Sequence, residues 1–113
     1  MISVSRDSVE AEVLEKAHRI HELRKGLSPA VSHLVKHGLF EANSDFIDWD
    51  KGLWDLHDWL MRERARLIDG ESPVEVLERA RAATAHLDGA SERIEQFKAR
   101  GWWADVSFND AKD

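Results

Sequence analysis

The sequence predicts an all-α protein: a bundle of four or five helices with short connections and the third helix central. Three observations lead there. Apolar residues recur every three or four positions along most of the 113-residue chain, the period of a single helix face. Five of the six glycines, Gly26, Gly38, Gly70, Gly89 and Gly101, stand singly where such a periodicity ends, and glycine is favoured just past a helix. Both prolines follow a serine, as Ser28-Pro29 and Ser72-Pro73. Serine is a good N-cap, and proline suits the first helical position because it needs no amide donor there. The most strand-like run, Ala104 to Phe108, is weak.

The first helix is expected from Asp7 to Lys25, with Val9, Val13, Ala17, Ile20 and Leu23 on one stripe. A short second helix follows from Pro29 to His37, with Val31, Leu34 and Val35 inward, and Gly38-Leu39 reads as its exit. The third helix, capped by Ser44, runs from Asp45 to Asp69. It carries two apolar stripes, one through Phe46, Trp49, Leu53, Leu56, Leu60 and Leu67 and another through Ile47, Trp54, Met61, Ala65 and Ile68. So wide an apolar arc marks a helix with neighbours on several sides. The fourth begins at Pro73, where Ser72 and Glu75 form a capping-box pattern. At Gly89 a single long helix competes with a break before a fifth helix capped by Ser91; the break is favoured. The expected core is Val13, Ala17, Ile20, Leu34, Phe46, Leu53, Leu56, Leu60, Leu67, Leu77, Leu87, Ile94 and Phe97.

The length fits one domain. Residues 1–106 are expected to form it, with residues 107–113 a polar tail that frays. Apolar residues make up 42% of the chain, too many for a disordered polymer, yet no run approaches the roughly 20 needed to cross a bilayer. The first residues carry no basic segment followed by an apolar one, and there is no cysteine. Both features suit a cytoplasmic protein. The formal charge is −6, and neither half of the chain is basic. Nucleic-acid binding draws on Lys and Arg neutralising phosphates, so a direct nucleic-acid partner is not expected, nor is a membrane.

The six histidines invite a metal reading. Glu15 with His18, His18 with Glu22, and His33 with His37 sit at on-face helical spacings. These pairs resemble those of hemerythrin-like families. Such families need further ligands downstream, including a histidine followed five residues later by aspartate. Here Arg62 and Ser91 stand five residues after His57 and His86. The serines mostly occupy helix entries, no G-x-S-x-G elbow or Gly-rich phosphate loop occurs, and carboxylate pairs such as Asp55 with Asp58 lack an apolar shell to raise a pKa. No catalytic residue, cofactor or metal site is therefore expected.

The stretch from Phe40 to Trp59 is the distinctive one. It holds six acids against one lysine, with five aromatic residues interleaved. Trp49, Trp54 and Trp59 are five residues apart, so each steps roughly 140° around an α-helix and the three cannot share one face. Trp49 and Trp54 fall on the apolar stripes and are expected in the core. Trp59 falls on a flank beside Asp55 and Asp58. The candidate partner-binding residues are Asp55, Asp58, Trp59 and Arg62, with Trp102 and Trp103 joining them if they are not packed inward. The expected function is protein binding without catalysis, towards a basic protein or a second copy of the chain. The alternatives are an acidic inhibitor imitating nucleic-acid charge and a metal-binding helical bundle.

One segment resembles a known family. Trp59-Leu60, followed by Leu67-Ile68-Asp69-Gly70-Glu71-Ser72-Pro73-Val74-Glu75-Val76-Leu77, is similar to the toxin-binding domain of Xre/MbcA/ParS-type antitoxins, which carry Trp-Leu, a spacer, then Leu-x-Gly-Gly-x-x-Pro-x-x-x-Leu. The resemblance spans residues 59–78. It implies a small helical protein that covers the active site of an NAD-consuming toxin of the RES type. The family's second glycine is Asp69 or Glu71 here, and Arg62 to Arg66 replaces its usual Asn-Pro. No helix-turn-helix segment is evident in residues 1–58.

Overall fold

In the computed structural model, which describes residues 4–108, the chain is overwhelmingly helical, with no strand among those residues. Helix α1 spans Arg6–Lys36, α2 Ser44–Ile68, α3 Pro73–Thr84 and α4 Ala90–Lys98. Short 3-10 turns lie at Glu41–Asn43, Ala85–Gly89 and Gly101–Asp105. The all-α expectation holds, but the chain is not a four- to five-helix bundle. Two long antiparallel helices, α1 and α2, form the frame, and α3 packs against both. The last helix, α4, has only nine residues and is too short to span that frame. The antiparallel sense is fixed by two cross-pairs: Glu10 with Arg64 at 3.0 Å, and Arg24 with Asp50 at 3.1 Å. No helix of the described residues is long and apolar enough to cross a membrane.

The helix count falls because the two expected N-terminal helices are one. Gly26 and Pro29 both lie inside α1, although proline removes an amide donor and costs up to about 3 kcal/mol in a helix interior. What carries the helix through is packing. Val13, Ile20, Leu27 and Leu34 recur every seven residues and all are buried, so the seam is continuous across the proline. The buried Phe46, Leu53, Leu60 and Leu67 form the matching series on α2. Burying a large apolar side chain contributes about 1.5–3 kcal/mol, so Leu27, Ala30 and Leu34 together outweigh the proline.

Of the expected core, Leu56, Leu77 and Ile94 are half-buried against the cluster and the other ten residues are buried. Val9, Leu27, Ala30, Ile47, Val76 and Ala80 complete it.

The corners follow the glycines. After α1, Gly38 has φ 69° and the Leu39 amide donates to the Leu34 carbonyl at 2.9 Å. After α2, Gly70 has φ 105° and the Glu71 amide donates to the Arg66 carbonyl at 3.0 Å. Both are left-handed helix exits, and Leu39 packs back on the core as expected. The caps differ from expectation. Asn43, not Ser44, precedes α2, and Ser72 makes no side-chain cap bond although Pro73 opens α3. Among the described helices only Ser5 caps as serine does, accepting from the Ser8 amide at 3.1 Å.

The break near Gly89 forms, but earlier and without Ser91. Helix α3 tightens into a 3-10 turn from Ala85, and α4 restarts at Ala90. Arg19 secures that turn, its guanidinium donating to the Leu87 carbonyl at 3.0 Å.

The molecule is elongated. Its radius of gyration is 16.8 Å, against about 13 Å for a compact domain of this length. Of the expected tail, Phe108 lies on Trp103 with ring centroids 5.3 Å apart, and residues 109–113 fall outside the described region.

Candidate interaction surface

The exposed tryptophan is Trp54, not Trp59. Trp54 is 46% exposed and stands on the flank of α2 facing the open side of α1. Trp59 is half-buried and packs against the core. The stripe of Ile47, Trp54 and Met61 lies one residue beyond the buried seam on α2, at the edge of the α1 contact: Ile47 is buried, Met61 half-buried and Trp54 exposed.

Trp54 is held from both sides. The His57 ring stacks on it at 5.6 Å between centroids, with planes 20° apart. The Arg24 guanidinium of α1 lies 4.3 Å from the ring centroid, close enough for a cation–π attraction. Arg24 also binds Asp50 through two parallel bonds of 3.2 and 3.1 Å. Asp50 is buried at 7% exposure, so this fork keeps its charge compensated. Arg24 is thereby pinned by a salt bridge and presents its face to the indole. His21, Lys25, Ser28, Val31 and Ser32 complete the walls of a surface cleft of about 310 Å³ beside Trp54.

Asp55, Asp58 and Arg62 are exposed on the outer flank of α2, three or four residues apart and therefore one above the other. His57 Nδ1 sits 3.7 Å from Asp58 Oδ1 and is buried without a hydrogen-bond partner. The six residues expected at the interface are thus split. Asp55, Asp58 and Arg62 share one exposed flank, and Trp59 lies beside them with its ring turned inward.

Trp102 and Trp103 belong elsewhere. Both are half-buried, with centroids 5.6 and 6.1 Å from the ring of Phe46. The condition attached to them, that they not pack inward, is not met. Trp102 Nε1 donates to Asn43 Oδ1 at 2.8 Å, and Arg100 donates to the same oxygen at 3.0 Å. Asn43 in turn donates to the Leu39 carbonyl at 3.0 Å. Arg100 also grips Asp45, drawing that carboxyl down to about 2 from its ordinary 3.8, mainly through the side-chain hydrogen bond. These contacts clip the C-terminal segment onto the α1–α2 connection.

The histidine pairs do not assemble into a ligand set. His18 Nε2 is 4.0 Å from Glu22, and the His33 and His37 rings lie 4.3 Å apart. Among the described residues no group of three or more His, Asp or Glu is placed to hold a metal ion. His33 and His37 instead line, with Lys25, Lys36, Ser28 and Ser32, a surface cleft of about 510 Å³ at the C-terminal end of α1. Basic residues there complement the negative end of the helix dipole.

Sequence reasoning missed Arg24 and Asp50 as parts of the surface. Their separation of 26 residues becomes a contact only once α1 runs unbroken, and the sequence was divided at Gly26. No family model matches this chain, nor does any curated protein or solved structure.

Proposed function

We propose that this chain is a protein-binding module without catalysis, engaging another polypeptide through the flank of α2 that carries Trp54, Asp55, Asp58 and Arg62. The observation that carries the reading is Trp54. Its indole is 46% exposed yet already fixed between Arg24 and His57. An aromatic whose rotamer is already locked loses little conformational entropy on binding, which is what an interface anchor requires. The acids around it favour a partner surface with complementary positive charge.

The inhibitory, antitoxin-like form of this reading draws on the segment 59–78. There Gly70 takes the left-handed turn and Pro73 opens the next helix, the same order as in the resembling domains. The charge-mimic alternative asks for a continuous field of unpaired carboxylates. Glu10, Glu12, Asp45, Asp50, Glu63, Glu71 and Asp88 are each within 4 Å of an arginine instead, which favours the aromatic anchor over the mimic.

The test is retention of a polypeptide at stoichiometric amounts, another protein or a further copy, by the immobilised chain in extract from its own host. Trp54→Ala is expected to abolish retention with the fold intact. A chain that retains nothing, itself included, refutes the module. For the antitoxin form, co-expression with a RES-type toxin is expected to restore growth, and continued toxicity removes that form.

A further inference from the structure

The α2 surface contains a second seven-residue series beside the buried one: Ile47, Trp54, Met61 and Ile68. Seven residues advance an α-helix by roughly 700°, just short of two turns, so these four side chains form a nearly straight line. Ile47 is buried at 4%, but Trp54 is 46% and Ile68 53% exposed, and Met61 is half-buried. Across the groove on α1, Leu14 is 37% exposed. It lies one turn past Glu10, whose partner Arg64 lies one turn past Met61. Helix α3 attaches to the other side, through Glu12 of α1 and Glu63 of α2. A seven-residue apolar repeat is the pattern by which helices pack along their length. The pair α1–α2 therefore carries one seam that is filled and a second that is closed at Ile47 but open at Trp54 and Ile68.

We propose that a second copy of this chain fills the second seam. Its own α1–α2 pair docks antiparallel about a two-fold axis near Met61, so that two copies complete a four-helix core. This rests on the protein-binding reading above and names its partner. The charge pattern selects both the partner and the orientation. Asp45, Asp50, Glu63, Arg64 and Arg66 are held in ion pairs within the chain; of the remaining α2 charges, Asp48, Asp55 and Asp58 outnumber Lys51 in its first half and Arg62 stands in its second. An antiparallel two-fold sets the acidic half of each copy against the half of the other that carries Arg62, twice over. It also brings Trp54 of one copy over Ile68 of the other. The parallel arrangement would oppose acid to acid. Antiparallel self-complementarity is what a two-fold interface demands, since both surfaces are the same patch. The radius of gyration of 16.8 Å, large for a self-sufficient domain, fits a half-assembly.

Sedimentation equilibrium tests the proposal directly. The wild-type chain is expected at twice its 12.9 kDa mass at ~100 μM, ample for a dimer of micromolar affinity. Trp54→Glu combined with Ile68→Glu is expected to give a monomer with an unchanged helical circular-dichroism spectrum. The charge pattern provides a second arm that leaves the apolar seam alone. Asp58→Arg and Arg62→Glu are each expected to weaken self-association about tenfold, by turning two attractions per dimer into repulsions. Mixing the two variants restores it, because each then meets opposite charges at both positions. A single-chain mass for the wild type at that concentration overturns the proposal. So does a dimer indifferent to the Trp54 and Ile68 changes, or a mixture no tighter than its components. If the chain is monomeric yet retains a host protein that Trp54→Ala releases, the second copy is wrong and the binding-module reading stands. If neither occurs, both fall.

Discussion

Arg79 of α3 forms a hydrogen-bonded ion pair with Glu63 of α2, whose side chain is only 2% exposed. Arg66 approaches the same carboxylate at 3.6 Å, and Arg79 also holds Glu71. The cluster fastens the α2–α3 corner, and its two ends are not equivalent. Removing Arg79 leaves a buried carboxylate with one longer ion pair, whereas neutralising Glu63 leaves an arginine that can turn to water. Arg79→Ala is therefore expected to destabilise the fold more than Glu63→Gln does. Urea unfolding of both variants measures the difference. Equal losses would show that Arg66 substitutes fully.

Two glycines should respond oppositely to the same change. Gly70 turns through φ 105°, which a side chain disfavours, and Gly26 lies within α1 with nothing within 4 Å of where a Cβ would sit. Gly26→Ala is expected to stabilise by about 0.5–1 kcal/mol. Gly70→Ala is expected to destabilise by more than about 1 kcal/mol. Shifts in the denaturation midpoint read both signs.

The Asp45–Arg100 pair makes stability acid-sensitive. Arg100 holds the folded Asp45 at about 2, below its ordinary 3.8. The unfolded chain thus takes up this proton first. The stabilisation is complete above pH 3.8 and disappears as the pH falls towards 2. Asp45→Asn should lower the melting temperature near neutrality, and the gap to wild type should close over that acid window. A constant gap would mean that the pair contributes nothing through its charge.

Asn43 is 5% exposed, and its Oδ1 accepts from both Trp102 and Arg100. Asn43→Ala strands the indole donor and removes one of the two bonds made by Arg100 Nη1, which keeps the one to Asp45, a loss of about 1–3 kcal/mol. Trp102→Phe removes the donor and shrinks the indole to a phenyl but keeps an aromatic ring against Phe46, so it should cost about 1 kcal/mol. Thermal melts that rank the two in the reverse order would contradict the clip.

Much of the helical content was legible because its signals are local. The three- and four-residue spacing marked Val13 to Ile20 and Phe46 to Leu67, and Gly38 and Gly70 end helices where they stand. The failures share one cause. Gly26 and Pro29 carry the strongest local stop signals in the first third of the chain, yet a seam that recurs every seven residues from Val13 to Leu34 overrides them. Tertiary burial outweighs propensity, and nothing local announces it. The candidate surface suffered likewise. Trp54 reads as core by periodicity, and only the position of α1 shows that its side of α2 is open. Asp55, Asp58 and Arg62 were readable as exposed from the helix alone, whereas the inward packing of Trp59, Trp102 and Trp103 depends on residues far along the chain.

The Asn43 clip joins positions 57 and 59 residues apart, and Phe46 has Phe97, Trp102 and Trp103 around its ring. A chain made from its N-terminus has α1 and α2 available to pair early, since their contacts close first. The aromatic lid over Phe46 arrives after both. Until it does, the nascent hairpin presents an open apolar socket at one end, so chains interrupted before Trp102 would emerge sticky and short-lived. Closure of this core thus waits on a segment made after both long helices: Phe97, Trp102 and Trp103 cap a hairpin that can pair before they exist.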